Sequence, residues 1–131
     1  MKQALLFLMI LLFAFSCKKT KFEPVGPTDV RIYNNTTYVF DNVVVNTSGG
    51  ENNFGTIAPG TYSAYYRYDK SYPKIHITLT IGGVAYSTPE PDYTFQTYLG
   101  QVKCAYKVFI ANESTKTLDT DCVYEAPLDG K

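Results

Sequence analysis

The stretch Lys74-Ile75-His76-Ile77-Thr78-Leu79-Thr80-Ile81-Gly82-Gly83-Val84-Ala85-Tyr86-Ser87 decides the fold class. Ile75, Ile77, Leu79 and Ile81 alternate with His76, Thr78 and Thr80, a period of two that places apolar and polar side chains on opposite faces of a strand. Gly82-Gly83 then predicts a two-residue primed turn, because both central positions of such a turn take positive φ. The turn sets Ile81 opposite Val84 and Leu79 opposite Tyr86, so turn chemistry and face pattern agree on one register.

Moving toward the C-terminus, Val102, Cys104, Tyr106, Val108 and Ile110 alternate with Lys103, Ala105, Lys107 and Phe109. After an Asn112-Glu113-Ser114 turn, Leu118, Thr120, Cys122 and Tyr124 return in the same phase. Placing Cys104 opposite Cys122 pairs Tyr106 with Thr120 and Val108 with Leu118 on one face. Directly opposed Cα atoms lie about 4.5–5.5 Å apart, within disulfide reach, so a Cys104–Cys122 bridge is the expectation for an exported chain, with two buried thiols as the alternative.

Moving toward the N-terminus, Val30–Tyr33, Thr37–Asn46, Phe54–Ala58 and Thr61–Tyr68 read as further strands, with turns at Asn34-Asn35, Ser48-Gly49-Gly50 and Pro59-Gly60. No helical periodicity stands out. The expected architecture is all-β: a single antiparallel sandwich of about seven to eight strands spanning residues 30–126, with a short tail at 127–131.

The chain begins differently. Met1-Lys2-Gln3 is a short positive head, Ala4–Phe15 is an unbroken apolar run, and Ser16 precedes Cys17. This is the pattern of a secretion signal over residues 1–16. The 13 residues Ala4–Ser16 fall short of the ~20 needed to cross a hydrocarbon core, which makes a permanent transmembrane anchor the weaker reading. Ala14-Phe15-Ser16-Cys17 resembles the lipobox of bacterial lipoproteins, which are cut before an acylated cysteine, although the common form has Leu where Ala14 stands and a small residue where Phe15 stands. The resemblance implies lipidation of Cys17, a membrane tether through that lipid, and a polar linker at 17–29 carrying Lys18, Lys19, Lys21, Pro24, Gly26 and Pro27.

The segment from Asp41 to Thr61, with Val43-Val44-Val45, Ser48-Gly49-Gly50 and Pro59-Gly60, resembles small Bacteroidota-type lipoproteins with a prealbumin-like or immunoglobulin-like sandwich. That resemblance implies the fold, the anchor and an envelope location in the outer membrane. It implies no catalytic or ligand residues.

Charge and composition exclude several functions. Residues 17–131 carry 11 basic and 12 acidic side chains, which is no electrostatic footprint for nucleic acid. One His, three Cys and no Trp leave little for a metal centre, and no cofactor motif is present. Glu90/Asp92 and Asp119/Asp121 are spaced like calcium-loop ligands but lack the Gly-turned loop of alternating oxygens. His76, on the polar face of its strand, reads as a solvated residue without a catalytic partner in sequence.

The excess that invites a function is tyrosine: twelve in the chain, five of them between Tyr62 and Tyr72. Strand alternation puts Tyr62, Tyr66 and Tyr68 at the core edge and Tyr65 outward with Ser63 and Arg67. Tyr65, Arg67 and Tyr72 are therefore the candidate binding residues. Such a patch suits an envelope protein, or a glycan stacked on the rings. The expected function is a non-catalytic binding or structural accessory, with a carbohydrate-binding module and, further behind, a small hydrolase as alternatives.

Overall fold

A computed structural model describes residues 26–128, so the signal segment, Cys17, most of the linker and residues 129–131 lie outside the described residues. The chain is all-β. Its strands are β1 (Thr28–Asn34), β2 (Asp41–Asn46), β3 (Glu51–Asn53), β4 (Tyr66–Tyr68), β5 (His76–Ile81), β6 (Val84–Ser87), β7 (Val102–Asn112) and β8 (Thr117–Pro127). A single 3-10 turn, Tyr93–Phe95, lies in the β6–β7 crossover.

The central hairpin forms as its pattern predicts: Ile81 pairs with Val84 and Leu79 with Tyr86, and Gly82 and Gly83 take φ of 57° and 79°. Ile75, Ile77, Leu79 and Tyr86 are buried. β1 alternates with equal regularity, burying Thr28, Val30, Ile32 and Asn34.

The antiparallel sandwich is corrected. All eight strands join one mixed sheet in the order β3-β2-β5-β6-β8-β7-β1-β4. β1 runs parallel to β7 over six residue pairs, and β6 meets β8 in parallel at Ser87–Thr117. Face alternation is blind to strand direction, because a parallel neighbour and an antiparallel one ask for the same period of two.

The sheet curls until its two edges nearly meet. The Asp69 N–H donates to the Gly49 carbonyl (3.1 Å), the Thr47 hydroxyl to the Lys70 carbonyl (2.7 Å) and the Tyr68 hydroxyl to the Val45 carbonyl (2.9 Å). Gly49 permits this approach: a Cβ there would lie 2.4–2.7 Å from Lys70 atoms, closer than atoms pack. Val30, Ile32, Val43, Val45, Ile77, Tyr106, Val108 and Leu118 fill the enclosed core.

Three expected strands shrink, Thr37–Asn46 to Asp41–Asn46 first among them. Thr61–Tyr68 contributes only Tyr66–Tyr68 as strand, and Phe54–Ala58 only the single bridge Ile57–Phe40. Buried Asn34 explains part of this. Its amide donates to the Tyr38 and Ile57 carbonyls (2.7 and 3.0 Å) and its carbonyl oxygen accepts from Thr36. A side chain thus supplies what a ladder would, and Tyr38 and Val39 stay outside any strand and half exposed.

The register of the last hairpin is also corrected, by two residues. Tyr106 faces Cys122, Val108 faces Thr120 and Cys104 faces Tyr124. The turn is longer than Asn112-Glu113-Ser114: Asn112 accepts from the Thr115 N–H (3.1 Å) and Lys116 takes φ of 56°. Thr117 is therefore the first residue to pair back, with Asn112.

Candidate functional site

The outer face of β1, β7 and β8 gathers the tyrosines. On β1 the outward residues are Asp29, Arg31 and Tyr33, in register with Lys103, Ala105 and Lys107 of β7. The segment after Thr61 runs antiparallel along the edge of β1, bridging to it at Tyr33–Tyr62 before joining it as β4. Ser63 anchors this run, with its N–H donating to the Ile32 carbonyl (2.8 Å) and its hydroxyl accepting from the Ile32 N–H (2.9 Å).

Arg31 is the hub. Its guanidinium makes a two-pronged ion pair with Glu125, through Nε at 2.9 Å and through NH2. Its Cζ lies 3.8 Å from the Tyr62 ring centre and 4.9 Å from that of Tyr65, within cation–π range. The Tyr65 hydroxyl donates to Glu125 (2.8 Å). Burial and the adjoining Glu125 carboxylate push the Tyr65 phenol up to about 12. Glu125 is drawn two ways: burial raises its carboxyl, but the Arg31 and Tyr65 hydrogen bonds prevail and hold it below its usual range. Lys103 sits over the same ring of Tyr65 at 5.5 Å. The Tyr33 and Tyr62 rings pack at 4.7 Å between centres, tilted by 47°.

The three residues read from sequence fare differently. Tyr65 is on the surface, 37% exposed. Arg67 is exposed on the same side and pairs with Asp29 at 2.7 Å. Tyr72 is overturned as a surface residue. It is 5% exposed and wedged between Tyr93 (4.6 Å) and Tyr98 (5.0 Å). Beyond Tyr68 the chain turns inward instead of continuing the strand. Ser71 is buried, and the Tyr72 carbonyl accepts from the buried Tyr106 hydroxyl, which itself accepts from Ser71 Oγ (2.7 Å). Tyr62, expected at the core edge, is exposed, because it lies outside the strand, where side chains do not alternate; Tyr66, opposite buried Val30 on β4, keeps its ring at the core edge, 4.6 Å from that of Phe54. Arg31 and Glu125, the centre of the cluster, carry no signal in sequence. They lie 94 residues apart, and only the sheet order joins them.

Cys104 and Cys122 are free thiols. The corrected register makes them diagonal neighbours, with Cα atoms about 7–8 Å apart in such pairs, at or beyond the reach of an unstrained bridge. The Cys104 thiol donates to the Cys122 sulfur; that bond and burial raise Cys104 far above its usual range, and at Cys122 the same bond outweighs burial and lowers it.

A cleft of about 410 Å³ opens where β6 and β8 diverge, lined by Lys74, Ile75, Thr88, Pro89–Asp92, Gln96, Asp119 and Thr120. Lys74 bonds Asp119 (2.8 Å) and the Thr120 carbonyl. Gln96 clamps the Lys74 backbone through both amide atoms. His76 is half-buried, not solvated, and its Nε2 lies 3.5 Å from Glu90. Near this pair, Thr88 Oγ1 accepts from the Ile77 N–H and donates its own proton to the Ile75 carbonyl. Among the described residues, no group of three or more His, Cys, Asp or Glu side chains is placed to hold a metal ion.

No family model and no curated protein matches this chain. Among solved structures, the NMR structure of a protein from Eubacterium rectale is similar over 88% of this chain and 98% of that chain, with 16% identity and a TM-score of 0.44.

Proposed function

We propose that this chain is an exported accessory of the cell envelope, tethered to the outer membrane by lipid on Cys17, that binds a partner and catalyses nothing. The observation that carries the binding reading is the Arg31-centred face. Tyr62 and Tyr65 stay exposed while Arg31 and Arg67 are tied to Glu125 and Asp29. Rings held in place lose little freedom on binding, and paired charges leave contact to the rings rather than to a net field. The favoured partner is another envelope protein. A glycan platform would need two coplanar exposed rings, and burial of Tyr72 removes the second ring of the expected pair.

A photoreactive phenylalanine at position 65, introduced into cells making the full chain, tests the binding reading. A discrete protein adduct that disappears when Tyr62 is changed to Ser supports it. Absence of any adduct, with a positive glycan array instead, would reassign the site to sugar.

A further inference from the structure

We propose that the side of β8 facing away from β7, from Thr120 to Tyr124, is a docking edge for an extended, basic segment of a partner polypeptide, which would enter the cleft beside it. This is a different surface from the tyrosine face and does not depend on it.

The direction in which β8 points its backbone follows from its neighbour. Val108 and Tyr106 of β7 turn their own backbone groups toward β1, as the bond from the Asn35 N–H to the Val108 carbonyl (2.9 Å) shows. Their partners Thr120 and Cys122 therefore turn N–H and C=O away from β7, and the period of two extends this to Tyr124. On that side the only strand among the described residues is β6, and its ladder with β8 is the single pair Ser87–Thr117. β6 then leaves at Thr88, and the cleft begins.

At Thr120 the vacant ladder positions are filled by side chains. The N–H donates to Asp119 Oδ1 (2.7 Å) and the carbonyl accepts from the Lys74 ammonium. Cys122 and Tyr124 have no such plug among the described residues. A row of unpaired strand groups recruits another strand unless it is blocked, and strand addition is a standard way of capturing an extended peptide.

Charge selects the occupant. Glu90 and Asp92 stand on the cleft wall and Asp119 and Asp121 on β8, against Lys74, which is committed to Asp119, and Lys107 of β7, which stands opposite Asp121. Glu90 is 85% exposed along its side chain. A second copy of this chain pairing antiparallel through Cys122 and Tyr124 of β8 would bring Asp119 or Asp121 against Glu125 of its partner, which like-charge repulsion opposes. A segment bearing Lys or Arg meets the opposite field. Apolar contacts are also on offer. Ile75, Pro89 and Pro91 line the cleft, Phe95 beside cleft-lining Gln96 is 89% exposed, and Tyr124 is 62% exposed.

The test uses the full chain, isotopically labelled and held in detergent. Amide exchange at Cys122 and Tyr124 should be at least a hundredfold faster than at Asp121 and Val123, whose backbones face β7. Peptides selected on the immobilised protein from a random dodecapeptide library should be rich in Lys or Arg, with β-branched residues at alternate positions. The best of them should slow Cys122 and Tyr124 exchange at least tenfold, and should lose binding when alternate backbone nitrogens are methylated. Glu90→Lys combined with Asp121→Lys should weaken it tenfold or more while melting stays within a few degrees. Four results would overturn the proposal: slow exchange at Cys122 and Tyr124 without peptide, protection that grows with protein concentration alone, no enrichment from the library, or selected peptides indifferent to backbone methylation.

Discussion

Tyr72→Ser and Tyr65→Ser should separate by several kcal/mol, although a pattern reading of the sequence treats the two rings alike. Tyr72 is 5% exposed and packed between Tyr93 and Tyr98. A buried tyrosine removes about 150–250 Å² from water, worth roughly 4–6 kcal/mol as an upper bound at about 25 cal/mol per Å². Mutational experience with large aromatic truncations in cores is about 3–5 kcal/mol. Serine adds a polar hydroxyl to the hole, so the upper half of that range applies. Tyr65 loses mainly one hydrogen bond to Glu125 on a surface already served by Arg31, a cost of about 1 kcal/mol. For a domain of this size each kcal/mol shifts the melting temperature by about 4–8 °C. Tyr72→Ser should therefore lower Tm by roughly 15 °C or more, and Tyr65→Ser by well under 10 °C. Thermal melts followed by circular dichroism, run side by side, check it. A Tyr72→Ser protein melting within a few degrees of wild type would return that ring to the surface and void the account of the 69–73 turn.

Tyr106→Phe changes almost no volume but orphans the buried Ser71 hydroxyl and the Tyr72 carbonyl, so urea unfolding should show a loss of about 2–4 kcal/mol. Protein purified without reductant should retain Cys104 and Cys122 as thiols, and an intact mass two daltons lighter than the reduced form would refute the diagonal register. Glu125 titrates below its usual range in the folded state, so its contribution is present above the unfolded carboxylate value of about 4.3 and is lost as pH falls through the lower, folded value. Wild type should accordingly lose more stability than Glu125→Gln between pH 5 and pH 2, and parallel curves would refute the Arg31–Glu125 pairing. Cys17→Ser should abolish incorporation of labelled palmitate, and continued labelling would remove the lipid anchor from the proposed function.

The sequence by itself determined what depends on near neighbours in the chain. The alternation of Ile75, Ile77, Leu79 and Ile81 and the two glycines after it set a hairpin whose register the structure reproduces pair by pair, because a two-residue turn leaves the strands no slack. The all-β class followed from the same short-range signals. The last hairpin was legible as a hairpin but not in register: its loop is held by the Asn112 side chain and the left-handed Lys116, and neither shows in a polar alternation. Tertiary structure alone decided the rest. The parallel joining of β1 to β7 brings Arg31 to Glu125 and builds the tyrosine face from residues tens of positions apart. The fate of Tyr72 was set by the Tyr106 hydroxyl reaching its carbonyl from another strand. Local pattern says which side of a strand a residue occupies; whether that side is covered depends on what the remainder of the chain lays over it.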